Sequence, residues 1–439
     1  MDPLARNKIV LSLAILALAT IAVFAPNLVF AGALGIIFII LTFHFPAIGI
    51  AAAILAAVAS EFGRIEFGGF SFLLLDLIAL VTFLIWLAGK LIHKEKIRLD
   101  GVTSGLLIFW AVGILSLVFG SAELSSGELK FAAFYFLRFI GISGLLLVVR
   151  DLKKKESLRV GNFLLGGGFL LALLGFVLLK ILPDFTEAGL TDLGWDPHIG
   201  RLTSTFLDPN FAAGAFAFFL AILGGRFLQA KKFGAQVWLL VVAGILGSAL
   251  LLTFSRSGIL ALGISGLVLG IWGDRRILLA GILIAALGIA SSARLAERIG
   301  ELGKSVESLG SQSQQVLDPT AQLRADSWRE GWRIFESKPI LGVGLGAYKF
   351  HQSFAGESSH AATGSDASLL NIAAMTGILG LVAFGIFLWN LGATAWRHKN
   401  WGFLAAMAGL LAHSVFVNSL FFPPLALIFF VSAGLAIRD

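Results

Sequence analysis

Apolar runs about as long as a bilayer is thick follow one another along nearly the whole chain, and that succession limits what it can fold into. A spanning helix needs about 20 apolar residues, and within lipid each backbone N–H and C=O must find a partner inside the protein, which a helix provides within one segment. Runs of this kind stand at about 9–25, 28–43, 46–60, 70–90, 102–119, 128–149, 159–181, 208–226, 235–253, 257–272, 277–291, 366–389, 401–417 and 420–436. The second, third and last two are short. The expected class is an all-α integral membrane protein of about 12–14 transmembrane helices, with one large extracytoplasmic loop that contains short helices. Composition agrees: 58% of the 439 residues are hydrophobic and 13% are charged, about half the ~25% charge of soluble domains. The 51 glycines and 39 phenylalanines suit helices that approach through small residues with aromatics filling between. Arg6 and Lys8 precede the first run as in a signal peptide, but so many spans follow that it reads as a retained first span.

Basic residues orient the spans. With the N-terminus cytoplasmic, the inner loops hold Lys90, Lys94, Lys96 and Arg98, then Arg150, Lys153, Lys154, Lys155 and Arg159. Arg226, Lys231, Lys232, Arg275, Arg276, Arg397, Lys399 and Arg438 continue the pattern. Every second loop is basic, as the positive-inside bias requires. The net charge of +7 is therefore a topology signal and not a nucleic-acid footprint. The chain divides into N-terminal transmembrane helices at 1–290, a large periplasmic or extracellular loop at 291–365, and C-terminal transmembrane helices at 366–439. A smaller outer loop runs from about Pro183 to Asp208. Multi-pass insertion in the cytoplasmic membrane is the expected location.

The polar interval 291–365 is where charged groups can meet a polar substrate without a large desolvation cost. It carries Arg294, Arg298, Lys304, Arg324, Arg329, Arg333, Lys338 and Lys349, with His351 and His360. Asp318-Pro319 is a helix start and Pro339 a stop. Between them Leu323, Trp328, Trp332 and Phe335 fall mostly on one stripe at 3.6 spacing. Arg324 lies at the edge of that stripe, while Arg329 and Arg333 project to a solvated face. The helix should lie flat on the membrane or on the spans. Gly342, Gly344 and Gly346 then give either a plain turn or, less specifically, a phosphate cradle; no Lys-Ser/Thr follows, so this is no P-loop. Asp366 opens the next span, as a helix cap or as a carboxylate held at the membrane surface.

Outer basic residues run against the topogenic bias. Arg201, Arg256 and Arg324 stand near expected membrane surfaces, with Arg256 in TFSRSG between two apolar runs. An arginine at the bilayer centre costs at least ~2.5–3.5 kcal/mol and less near an interface. A charge-assisted hydrogen bond to phosphate returns ~1.5–3 kcal/mol. Such residues snorkel to headgroups or grip an anion. Arg138 lies inside a span and wants an acid; Asp76 is a conceivable partner. Absent cysteines exclude disulfides and thiolate chemistry. The dispersed His44, His93, His398 and His413 form no His-x-x-x-His or Glu-x-x-His spacing, so no metal site is expected. No Gly-x-Ser-x-Gly elbow occurs.

Four stretches in order, RLTSTFLDPNFAAG, LLTFSRSG, LRADSWREGWRIFESKPILGVGLGAY and SDASLLNIAAMTGILGL, resemble the O-antigen ligase / O-antigen polymerase superfamily, over roughly residues 200–390. The resemblance implies a membrane glycosyltransferase of polysaccharide or lipopolysaccharide biosynthesis. It implies transfer of a glycan from an undecaprenyl-diphosphate carrier to a glycan or lipid acceptor, without nucleotide sugar, metal or other cofactor. Arg256 and Arg324 match residues that would bind the donor diphosphate. Arg201 and Asn210 match an Arg and a Pro-Asn pair in the preceding loop, and Trp328 belongs to the loop helix that keeps the polyprenyl tail in lipid. Many members have His-Asn after the large loop, with the His as base for the acceptor hydroxyl. Asp366-Ala367 stands there in this chain, so the base is Asp366 or, reaching in, His360. A transporter or channel for a small anion such as bicarbonate is the alternative, and a structural scaffold a third; no internal repeat of the transporter kind is evident.

Overall fold

The computed structural model describes residues 27–67, 70–276, 319–353 and 364–438. The expected spans at 9–25 and 277–291, Asp318 and His360 lie outside the described residues. Thirteen α-helices stand among the described ones. Helices α1 (Asn27–His44) and α2 (Pro46–Ala59) are followed by a hairpin, β1 (Arg64–Phe67) and β2 (Phe70–Leu73), and then by α3 (Leu74–Ile92). Next come α4 (Gly101–Gly120), α5 (Ser126–Asp151) and α6 (Lys154–Ile181). After an irregular stretch follow α7 (Pro209–Gln229), α8 (Phe233–Leu252) and α9 (Arg256–Trp272). The loop helix is α10 (Pro319–Ser337), and α11 (Ser368–Arg397), α12 (Trp401–His413) and α13 (Pro423–Ala436) complete the order.

Each start has a local cause. Asp100 accepts the Thr103 N–H at 2.9 Å ahead of α4, and Ser125 and Glu128 form a capping box that opens α5. Asp208 caps α7, with Pro209 at its first position. These are side chains that satisfy the orphan N–H groups of a first turn. Among the described residues, eight helices are long and apolar enough to cross a membrane, and shorter apolar ones include Arg256–Trp272, Trp401–His413 and Pro423–Ala436. The chain is an all-α multi-pass membrane protein. Several boundaries differ from expectation by a few residues, among them the start of α6 at Lys154 and the end of α12 at His413. Residues 70–73, read as the start of a span, pair with β1 in the register Arg64↔Leu73 to Phe67↔Phe70, because RIEF and FSFL alternate with period two. The span expected at 366–389 continues to Arg397.

Helix α13 is buried on almost every side and forms the centre, packed on α5. Helix α9 lies between α7 and α12, and α4 lies along α11. At the α7–α12 crossing, a Cβ on Gly225 would come 2.4 Å from the Gly402 Cα, so the two backbones touch as small-residue crossings in lipid allow. The expected Arg138–Asp76 pair forms at 3.7 Å, with Arg138 also 4.6 Å over the Tyr135 ring.

These packings put the starts of α7, α9 and α11 at the same end as the last residues of α8 and α12. Leu202 N–H donates to Leu252 C=O and Ser368 N–H to Ser414 C=O, each closing part of that end. Arg397 stands at the far end of α11, roughly 40 Å away at 1.5 Å per residue.

Candidate functional site

The turn 253–255 between α8 and α9 is too short to leave the membrane surface, so Arg256, the first residue of α9, is delivered there half-buried. Ser255 caps α9 by accepting the Gly258 N–H at 3.4 Å. The same hydroxyl donates to Asn210 Oδ1 at 2.9 Å and lies 3.1 Å from Ser257 Oγ. Asn210 sits in the first turn of α7, where Asp208 Oδ1 accepts its N–H at 2.6 Å. Arg201 donates from Nε to the Thr253 carbonyl at 2.9 Å and from Nη2 to Asn210 Oδ1 at 3.4 Å. Arg201, Asn210 and the Ser255-Arg256 pair therefore meet in one place.

His413, the last residue of α12, extends the group. It is fully buried, and its Nδ1 lies 2.6 Å from Ser419 Oγ. Its ring fills the space over Gly214, where a Cβ would come 2.9 Å from Cε1. It is also within reach of the Asn210 backbone and of the Arg324 charge. The charge of Arg324, on the loop helix, is thus felt at His413.

Helix α10 seats itself through small residues. Ser327, Gly331 and Ile334 are its buried positions, whereas Leu323 is 49% and Trp332 54% exposed. The aromatic stripe expected from spacing is therefore only partly the buried face. Gly331 is the reason: a Cβ there would lie 3.0 Å from Leu370 and Ser365, so α10 presses against the start of α11 where no large side chain fits. Trp328 does pack inward, with its ring 5.9 Å from Phe416. Its indole N–H is buried and meets no acceptor among the described residues. Arg329 and Arg333 form the expected solvated face, paired to Asp326 and Glu330 at 2.7 Å each. The Arg333 hydrogen bond holds Glu330 below the usual carboxylate range against a small cost of burial.

One turn after Arg324, Ser327 fixes Asp366. The Ser327 hydroxyl accepts the Asp366 N–H at 2.9 Å. Asp366 is not the cap of α11; that position falls to Ala367 with no side-chain hydrogen bond. The carboxylate is half-buried and acts electrostatically on Tyr348. Burial first, then the charges of Glu330 and Asp366, push the Tyr348 phenol above its ordinary range, so it stays protonated and faces Ser365. The amides of Asn371 and Asn418 converge beside Asp366: a Cβ on Gly364 would meet Asn418 at 2.8 Å and Asn371 at 2.9 Å.

The glycine loop does not present its N–H groups to solvent. Val343 N–H donates to Ala374 C=O at 3.1 Å and Gly344 N–H to Met375 C=O at 3.0 Å. Helix α11 breaks at Gly377, whose φ is +64, and the loop takes up carbonyls at the break. Gly342 has φ +69, and a Cβ there would fall 2.3 Å from the Met375 carbonyl carbon. The segment is a main-chain seam, which removes the phosphate-cradle reading.

Metal-ligand spacing is absent from the sequence, yet the irregular stretch before α7 brings Asp196, His198 and Asp208 together with one potential ligand atom each, all within 4.8 Å of one another. His198 is buried and stacks edge-on over Phe185 at 5.4 Å. Folding makes this grouping from residues with no motif spacing; it could take a cation, although Asp208 Oδ1 already serves as the cap of α7.

Of the residues singled out by sequence, Arg201, Arg256, Asn210, Arg324, Trp328 and Asp366 stand at one end of the bundle, joined by the contacts above. His413, Tyr348, Asn371 and Asn418 belong to the same end and carry no sequence signal beyond being polar in an apolar setting. A family model described as O-antigen ligase matches residues 241–385, about a third of the chain. That match supports the superfamily read from the motifs and spans Arg256, Arg324, Trp328 and Asp366. No curated protein matches the chain.

Proposed function

We propose, from the premise that residues 241–385 match a family model described as O-antigen ligase, that this chain moves a glycan from an undecaprenyl-diphosphate carrier to a hydroxyl of a glycan or lipid acceptor on the outer face of the cytoplasmic membrane. The observation that supports the reading is that Ser255, beside Arg256, is bonded to Asn210, that the charge of Arg324 acts on His413 near Asn210, and that Ser327 of the Arg324 helix holds the Asp366 N–H. A diphosphate calls for cationic donors and an acceptor hydroxyl for a base, and residues of both kinds stand at this end.

In the reaction, the acceptor oxygen forms a bond to the anomeric carbon while the bond from that carbon to the phosphate oxygen breaks. The electron pair leaves with the lipid diphosphate, which gains negative charge. Arg256 and Arg324, with Arg201 beside them, stabilise that charge more in the transition state than before it. Their forked donors suit phosphate oxygens better than lysine would. Asp366 takes the hydroxyl proton as general base. The buried indole N–H of Trp328 and the amides of Asn371 and Asn418 are donors placed to orient sugar oxygens. Within the expected division at 1–290, 291–365 and 366–439, α7, α9, α11 and α12 would hold the substrate and α10, seated on the start of α11, would cover it. The family match favours transfer over anion transport.

The deciding experiment incubates the purified protein with an undecaprenyl-diphosphate oligosaccharide and several acceptors, and identifies the product by mass. A joined glycan that disappears in Arg256→Ala and Arg324→Ala supports the reading. Undiminished transfer by both variants would sink it.

A further inference from the structure

A cavity of about 480 Å³ opens at the end of the bundle opposite the candidate site. Its walls come from distant parts of the chain: Arg98 ahead of α4, Arg150 in the last turn of α5, and Thr394, Arg397 and His398 at the close of α11. Three guanidinium groups line it against one carboxylate, Asp100. That carboxylate is committed. Its two oxygens take the fork of Arg150, and Oδ1 also accepts the Thr103 N–H at 2.9 Å. Arg150 is held further by Thr103 Oγ1 at 3.0 Å, and Arg397 donates to Thr394 Oγ1 at 3.0 Å. Arg150 and Arg397 are thus held in place, and the lining carries three guanidinium groups against one carboxylate.

Basic residues at this end have a ready explanation in membrane topology, but that explanation asks only for charge, in any arrangement. Lys153, Lys154 and Lys155 answer it, standing exposed around the start of α6. A concave wall in which Asp100 and Thr103 hold Arg150 and Thr394 holds Arg397 is a different thing. Planar forked donors converging on a space of this size fit tetrahedral phosphate oxygens, and the volume lies in the range of roughly 300–1,000 Å³ seen for ligand sites. Depth adds to this. Beside Arg397, Trp396 packs edge-on against Trp272 at 5.3 Å and Trp401 at 5.1 Å. Tryptophan clusters of this kind mark the headgroup level of a bilayer, where basic pockets between helices take anionic headgroups.

We propose that this cavity binds a phosphate-type anion, supplied by an anionic lipid headgroup or by free phosphate. The inference does not rest on the glycan-transfer reading, since the two places share no residue.

The test uses the full chain purified in detergent. Retained lipid is counted by native mass spectrometry from mixtures of phosphatidylglycerol and phosphatidylcholine. Thermal melting is followed by tryptophan fluorescence with inorganic phosphate against chloride at equal ionic strength. Two double variants are compared: Arg98→Gln/Arg397→Gln in the cavity, and Lys154→Gln/Lys155→Gln, which removes the same charge outside it. Arg98 and Arg397 are exposed at the rim, and a melting temperature unchanged in phosphatidylcholine verifies that the cavity variant folds. A headgroup site predicts that one phosphatidylglycerol is retained by wild type and by the lysine variant, and that the cavity variant loses it by tenfold or more. A free-anion site predicts instead that phosphate raises the melting temperature of wild type and not of the cavity variant. Equal losses in the two variants, or no preference for either probe in wild type, would overturn the proposal.

Discussion

The two ends of α11 set arginines in opposite company. At the Arg397 end, some of the cations are matched to acids: Arg150 is bound by Asp100, and Lys90 lies 2.7 Å from Asp151 and 2.8 Å from Glu95. These pairs tie α3, α4 and α5 together across the ends of the spans. At the Ser368 end, Arg201 is held by the Thr253 carbonyl and the Asn210 amide, neither of which carries a charge, and Ser255 next to Arg256 is likewise committed to Asn210. A carbonyl or amide oxygen positions a guanidinium without bringing a charge of its own, whereas a carboxylate both positions it and pairs with its charge. The residue type is the same at the two ends; the groups that hold it differ, an ion-pair cross-link at one and neutral oxygens at the other.

That contrast can be broken most sharply at Arg256 and Arg324. Replacing either with Ala should lower glycan transfer by about 10³-fold, with folding intact by melting and gel filtration, read by mass analysis of product formation. Loss of folding in both would make them cross-links after all and erase the difference between the ends. Next in size is the seam beside the site. Gly342→Ala places a Cβ on the Met375 main chain at a positive φ and should destabilise the protein by about 2–4 kcal/mol. A melting curve equal to wild type would show that α11 does not need its break. Asp366→Asn should cost about 10²-fold in transfer with little change in melting, and Asp366→Glu should recover part of it. Equal rates in all three proteins would remove Asp366 from the chemistry.

The smallest effect belongs to the paired end. Burial opposes ionisation of Asp100, but the Arg150 hydrogen bonds and the Thr103 N–H outweigh it and bring the carboxyl down to about 2. A depressed carboxylate stabilises the fold above its unfolded value near ~3.9, and the contribution is lost as pH falls through about 2. The group is over a third exposed, so solvent screening reduces the pair to about 1 kcal/mol. Melting followed from pH 5 downward should therefore show a small decline in wild type that Asp100→Asn lacks over that interval. A decline of equal size in the variant would assign it to other acids.

Much of this architecture is legible because hydrophobic length is read one segment at a time. Arg256 was visible for the same reason: a charged residue in a three-residue turn between apolar runs has nowhere to go but the membrane surface. Arg201 stands out as an outer arginine near an expected membrane surface, and Asn210 is legible only through the family resemblance. What the sequence hid depends on contacts between segments. His413 reads as one more histidine in an apolar run, and only the packing of α12 on α7 brings it to Asn210. Asp366 looks like a cap, since Asp fills that place well, but Ser327 claims its N–H from another helix. The aromatic stripe of α10 misled because projection weighs size, whereas the close approach at Gly331 selects for smallness. The Asp196, His198 and Asp208 grouping likewise follows from an irregular path that no periodicity describes.

The seam between Gly342 and Gly377 has an evolutionary corollary. Its hydrogen bonds run from main chain to main chain, so they are indifferent to the identity of the side chains around them. Exposed positions on the neighbouring polar cover, Trp332 and Leu323 among them, can drift while the cover keeps its seat. A lineage built this way is able to present new chemistry to the outside without re-solving how the cover is anchored.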